Sequence, residues 1–273
     1  MHALIRSSIA ALATVAAAGA AQATTIVVTP SDVGPPGLNT WYLGNYRDVS
    51  TGYTSTTSAA IGTANPRSGN GSVQMSLTDA SGKADYVYTW GFVGGRTLGN
   101  LDALSYDWYR SSGSTSAAHF QPAMRLYYDA DGNSATLDDQ GYLIWEQVYN
   151  GATASDQWVS SDILGGYFWQ RQFSPGVTIE DYDTTLAAWI AGEQPAGADR
   201  LSANTAILGI EFGIGSGWNG SFSGAVDNVT FGFSGQSTTF NFEAAASSDV
   251  PEPATLALFG LGLLGLGALR RRR

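Results

Sequence analysis

Between residues 24 and 242 the chain is a succession of short apolar runs with a period of two, separated by clusters of Gly, Ser, Asn and Asp. Val73, Met75 and Leu77 alternate with Ser72, Gln74 and Ser76. The same pattern recurs at Leu104, Tyr106 and Trp108, at Met124, Leu126 and Tyr128, at Leu208, Ile210, Phe212 and Ile214, and at Val229, Phe231 and Phe233. Side chains along a strand point to alternate faces, so each run has one apolar and one polar face. The pattern predicts strands over 72–77, 85–90, 103–109, 122–128, 142–148, 167–172, 206–214, 225–233 and 238–242. Each apolar face needs a second sheet to cover it. The economical all-β answer is a two-sheet antiparallel β-sandwich of jelly-roll type. A parallel α/β fold would need repeated crossover helices. One short helix is expected, over about 181–191, with Asp181 or Asp183 as its cap and Leu186, Trp189 and Ile190 facing the core.

A body of roughly 220 residues buries about 70% of its unfolded surface, so this core stands without covalent staples. That matters because cysteine is absent, which also excludes thiol catalysis and Cys–zinc sites. The 13 basic and 23 acidic residues give a net charge of −10, and such a chain repels a phosphate backbone, so nucleic acid is not an expected partner.

Both ends read as transport signals. Residues 1–23 have the form of a signal peptide: Arg6, an Ala-rich apolar stretch over 9–21, and the small-x-small site Ala21-Gln22-Ala23. The expected domain is 24–242, followed by an Ala/Ser spacer at 243–249 and a tail at 250–273. That tail holds Pro251-Glu252-Pro253, an apolar span over 254–269, and four arginines from Arg270 to Arg273. Sixteen helical residues reach about 24 Å, short of the ~30 Å hydrocarbon core but able to sit in a thinned bilayer. The arginines should stay cytoplasmic, leaving the body outside.

Residues 250–273 resemble the PEP-CTERM sorting domain of exosortase substrates in Gram-negative bacteria. The resemblance implies recognition by exosortase at Pro251, Glu252 and Pro253. It also implies export by the secretion machinery, a transient inner-membrane-anchored intermediate, and delivery to the cell surface or beyond. It links the chain to exopolysaccharide and biofilm. The stretch 225–231, Ala-Val-Asp-Asn-Val-Thr-Phe, is similar to the final strand of secreted carbohydrate-binding jelly rolls.

Three places in the body carry candidate chemistry. Asp129-Ala130-Asp131-Gly132-Asn133, followed by Asp138 and Asp139, offers hard oxygens at the spacing calcium uses. It resembles the start of an EF-hand loop but has Ser134 and Gln140 where the turn Gly and bidentate Glu belong. The expected ligands of a structural Ca2+ are therefore Asp129, Asp131, Asn133, Asp138 and Asp139; the plainer reading is a solvated polar hairpin. Asp227 shares parity with the apolar row 229–233, and the expectation there is a carboxylate accepting backbone N–H groups at the sheet rim. On the polar faces, Asp107, Tyr109, Arg125 and Tyr127 have the chemistry of a shallow saccharide groove, with Glu211 between the small residues Gly209 and Gly213. Catalysis is the competing class. Glu146 and Glu211 are the best carboxylate pair for a glycan hydrolase or lyase, while His119 and Lys83 are the only histidine and lysine of the body and no G-x-S-x-G is present. The leading reading is a non-catalytic surface or matrix protein that contacts saccharide. A glycan-active enzyme and a purely structural surface protein remain the alternatives.

Overall fold

The computed structural model describes residues 22–44, 56–80, 82–215 and 217–244. All but the last two residues of the signal segment, most of the spacer, and the whole sorting tail lie outside these. The described chain is all-β with one short helix. Strands β1 (Gln22–Val28), β2 (Val33–Gly34), β3 (Trp41–Leu43), β4 (Thr57–Gly62) and β5 (Ser72–Leu77) lead to β6 (Lys83–Thr89) and β7 (Leu101–Arg110). Then come β8 (Ala123–Asp129), β9 (Gln140–Trp145), β10 (Trp158–Asp162), β11 (Trp169–Gln172) and β12 (Thr178–Ile179). After α1 (Leu186–Ala191), the long strands β13 (Ala206–Gly215) and β14 (Phe222–Phe233) and the final β15 (Gln236–Phe242) complete the body.

Two sheets form, as the alternation requires. The first is built on β14, which pairs β7 along one edge, with β10 beyond it. The other edge of β14 is shared: its first half pairs β5, its second half β15. The second sheet runs β12-β11-β9-β8-β13-β6-β3-β2. Both are mixed rather than purely antiparallel, because β1 lies parallel to β15 and β2 parallel to β3. The expected rows face inward. Val73, Met75 and Leu77 meet Leu104, Tyr106, Trp108, Met124, Leu126 and Tyr128 in one core between the sheets. Trp41 anchors it with edge-on contacts to Phe240 and Phe242, each at 5.2 Å between ring centroids.

Two expectations need correction. Leu208 does not share a face with Ile210, Phe212 and Ile214: a bulge between Ile207 and Gly209 shifts the register, turning Ile207 inward and Leu208 outward. The helix begins at 186, not 181. Its cap is Thr185, whose Oγ1 accepts from Ala188 N at 3.2 Å. Asp181 closes a local turn instead, accepting from Asp183 N and the Thr184 hydroxyl. Leu186 and Trp189 are buried as expected.

Asp227 sits mid-strand, where β5 and β15 part company along β14. A register shift between Asp227 and Thr230 coincides with Asn228 at φ +50°. The parting leaves backbone N–H groups without ladder partners. Asp227 supplies them: it accepts from Phe242 N and Asn228 N through Oδ1 and from Ser68 N through Oδ2. Burial nevertheless pushes its carboxyl up to about 6 against these three donors.

Candidate functional site

The outer face of the second sheet is not the plain polar face that alternation alone would give. Ala123, Tyr127, Tyr142, Ile144 and Leu208 form a second apolar cluster there, with Trp169 and Phe173 packed against it. The register aligns Trp169 on β11 with Ile144 on β9, Arg125 on β8 and Glu211 on β13 in one outward-facing row. A charged network runs through this row. Arg125 Nη1 donates to Asp85 Oδ1 and to Glu211 Oε1, both at 2.6 Å, and Lys83 pairs with Asp85. Tyr142 OH donates to Glu211 Oε2 at 2.6 Å.

Asp85, Arg125, Glu211 and Tyr142 are almost fully buried although they stand on an outer face, with Lys83 half-buried at the edge. Burial opposes the charge on Asp85, but Arg125 and Lys83 together hold it below its ordinary value. For Glu211, burial and then the Asp85 charge outweigh the pull of Arg125 and Lys83 and push it up. Burial likewise works against Arg125, and its two carboxylates overcome it. Gly213 makes the arrangement possible. A Cβ at that position would stand 1.8 Å from Asp85 Oδ1, so only glycine leaves room for the carboxylate. The space beside Glu211 is thus filled by Asp85, not kept open for a ligand.

Above the network lies a cleft of about 350 Å³, lined by Lys83, Arg125, Tyr142, Glu146, Trp169, Arg171 and Trp218 among others. Its two indoles are held from behind. Trp169 Nε1 donates to Glu146 Oε2 at 3.0 Å, and Trp218 stacks on Phe120 at 4.6 Å with a 5° interplanar angle. Arg171 Nη1 donates to Thr178 Oγ1 at 2.9 Å. Burial raises the Glu146 carboxyl above its ordinary value, with the Trp169 bond opposing. Trp218 is 6% exposed and packs into the main core, so the cleft offers the half-buried Trp169 indole, a small part of Trp218, one carboxylate and a guanidinium in a partly desolvated space.

The hairpin loop joining β8 to β9 gathers three carboxylates. One oxygen each of Asp129, Asp131 and Asp139 lies within 4.8 Å of the others. Asp139 Oδ2 accepts from Asp131 N at 2.9 Å, and Asp129 Oδ2 from Gln140 Nε2 at 3.1 Å. The remaining oxygens, Asp129 Oδ1 and Asp139 Oδ1, are buried without any hydrogen-bond partner. Burial, and then the neighbouring carboxylates, raise Asp129. Buried carboxylate oxygens without a donor, in a cluster this close, fit a hard cation. Asp138 is exposed and outside this group. Asn133 Oδ1 accepts from Ala135 N, as in an Asx turn, and φ +70° falls at Gly132, not at Ser134.

The groove residues read from the sequence divide between two sheets. Arg125 and Tyr127 face outward from the second. Asp107 and Tyr109 face outward from β7 in the first, where Arg67 Nε donates to Asp107 Oδ2 at 2.8 Å and Tyr109 packs by Trp158. Glu146 and Glu211 share the outer face of the second sheet, but two strands and two residues apart, roughly 12 Å at the backbone. Each has its own partners: Trp169 for Glu146, and Arg125 and Tyr142 for Glu211. Trp169, Trp218 and Asp85 were not singled out on sequence. Only the parity of Trp169 with Arg171 in the predicted strand 167–172 pointed that way.

Residues 249–273 match the PEP-CTERM protein-sorting motif. The chain is accordingly exported through a membrane-anchored intermediate that exosortase processes, and reaches the cell surface. None of the curated proteins compared with the chain matches it. Among solved structures it is similar to the family 11 carbohydrate-binding module of the cellulosomal cellulase Lic26A-Cel5E of Clostridium thermocellum, at 14% identity over 78% of this chain and 94% of that one, with a TM-score of 0.34. The family 11 module from the same organism in complex with a β-1,3-1,4-mixed-linked tetrasaccharide gives 16% identity over 77% and 93%, at 0.32. A family 30 carbohydrate-binding module gives 8% over 66% and 93%, also at 0.32. Likenesses this distant assign no ligand to the cleft.

Proposed function

We propose that the body, residues 24–242, is a non-catalytic saccharide-binding domain. Residues 1–23 take it across the inner membrane as a cleaved signal, and the exosortase-processed tail delivers it to the exopolysaccharide matrix of a biofilm. The observation that carries this reading is the cleft in which Trp169 and Trp218 stand with Glu146 and Arg171. A sugar ring presents apolar C–H faces and a belt of hydroxyls; indole surfaces take the first, and a carboxylate and guanidinium take the second. Glu211 is engaged by Arg125 and Tyr142, which favours binding over a two-carboxylate mechanism. In this reading the loop carboxylates Asp129, Asp131 and Asp139 hold a structural Ca2+, at the millimolar-range affinity of extracellular modules.

Glycan-array binding of the exported protein tests it. Trp169→Ala and Trp218→Ala should each weaken the best hit by about thirtyfold, the loss of a buried aromatic anchor worth about 2 kcal/mol. Tyr109→Ala, on the other sheet, should leave it unchanged. Turnover of a polysaccharide that disappears in Glu146→Gln would replace the reading with the enzymatic one. For the ion, melting should rise with millimolar calcium and fall with chelator, and no shift would remove it.

A further inference from the structure

The turn that follows β6 and the hairpin joining β14 to β15 line a separate cleft of about 270 Å³. Gly94, Gly95 and Arg96 belong to the turn, and Ser234, Gln236 and Thr238 to the hairpin side. Both walls are pinned. Arg96 N donates to Val93 O at 3.1 Å, and Arg96 O accepts from Ile207 N at 2.9 Å. Asn100 ties the walls together: its Nδ2 donates to Gly95 O at 3.0 Å, and its carbonyl accepts from Ser234 N at 2.9 Å. Gly95 takes φ +85°, and the space beside Gly94 and Gly95 is open. Arg67, Arg110, Arg125 and Arg171 each donate to a side-chain or carbonyl oxygen. Arg96 instead lies over the rings of Trp90, at 4.8 Å, and Phe231, at 5.8 Å. Among the described residues its guanidinium has no ion pair and no hydrogen-bond acceptor. Asp102 pins the same hairpin by accepting from Gly235 N and is not paired with Arg96.

We infer that this cleft is a second ligand site, which takes the carboxylate-bearing unit of an acidic saccharide through the Arg96 guanidinium. The rings beneath Arg96 engage its π face and leave its in-plane N–H donors unused. The residue is half-buried, and burial works against its charge. A partly desolvated cation without a counter-charge favours an anion that brings its own acceptors. The guanidinium fork matches the two oxygens of a carboxylate. The hydroxyls of Ser234 and Thr238 and the Gln236 amide have no protein partner among the described residues, and they suit the hydroxyls of a sugar. A neutral sugar would leave Arg96 without its counter-charge, and a bare anion would leave the hydroxyl wall unused. The site shares no residue with the cleft at Trp169, and it stands whether or not that cleft takes a sugar.

The test is an NMR titration of the exported protein, isotope-labelled, with a galacturonate trisaccharide, with the methyl ester of that trisaccharide, and with sodium acetate. The acid should move the Arg96 Nε–H and Trp90 indole resonances. Read at those resonances, the ester should bind about tenfold more weakly, the loss of a charge-assisted hydrogen bond. Acetate at equal concentration should give smaller shifts. Added salt should weaken the acid and leave the ester unchanged. Arg96→Gln should bring the acid down to the level of the ester, and Arg96→Lys, which keeps the charge without the fork, should fall between. The comparison of acid with ester needs no variant, so it serves where Arg96→Gln does not fold. Equal binding of acid and ester overturns the role of the carboxylate. Acetate that binds as well as the trisaccharide overturns the role of the sugar. Shifts confined to Trp169 and its neighbours, or no shift with the acid at all, overturn the site.

Discussion

Single residues set the tolerances of this fold. At Gly213 the requirement is space, not backbone freedom: its Cβ position is taken by the Asp85 carboxylate. Gly213→Ala should therefore cost about 1–3 kcal/mol in chemical unfolding, the usual range for forcing a group into a filled site. Asp227 makes a different prediction, one of sign. Its native carboxyl is pushed up to about 6, above the ~3.9 of an unfolded Asp. Between roughly pH 4 and 6 the native state thus binds more protons than the unfolded chain, and stability falls as pH rises through this window. The loss should be at most about 3 kcal/mol and level off above pH ~6.5. Urea unfolding of Asp227→Asn across that range should lack this slope. A wild-type curve that rises from pH 4 to 6 because of this group would contradict the burial argument.

At the scale of elements, the second sheet depends on a buried ionic layer that joins three strands. Asp85 comes from β6, Arg125 from β8 and Glu211 from β13. Arg125→Met removes the shared cation and leaves two buried carboxylates facing Lys83 alone. The expected cost is about 3–5 kcal/mol by denaturant titration, far more than a surface pair is worth. This layer also marks where sequence reading stops. The nine expected strands were legible because the β-forming runs, five of them with a clean period of two, are local properties, and β5 at 72–77 has the bounds expected for it. Strands β1 to β4, β10 and β12 were not, since segments such as Thr57–Gly62 and Trp158–Asp162 carry no row of large apolar residues. The carboxylate trio 129/131/139 was legible because one hairpin contains it. Asp85 with Arg125 is separated by 40 residues and Arg125 with Glu211 by 86, so only strand order brings them together. The same ignorance of strand order put Asp107 and Tyr109 beside Arg125 and Tyr127, when β7 and β8 belong to opposite sheets.

For the whole molecule, the sorting motif and the sandwich divide the work. The tail at 249–273 takes the chain to the cell surface, and the two sheets offer one outer face each to what is found there. They are not equivalent. On the first, Tyr109, Trp158 and Arg67 sit at the surface around Asp107. On the second, a cleft with two indoles lies over a buried, hydrogen-bonded floor, which holds its groups in place before any ligand arrives. Rigidity of that kind lowers the cost of ordering on binding. The most direct test is NMR shift mapping of the exported protein with the oligosaccharide that the glycan array selects. The resonances of Trp169, Trp218, Arg171 and Tyr142 should move together, with those of Tyr109 and Trp158 unmoved. Shifts confined to the face of β7 and β10 would contradict the assignment of the cleft as the binding site.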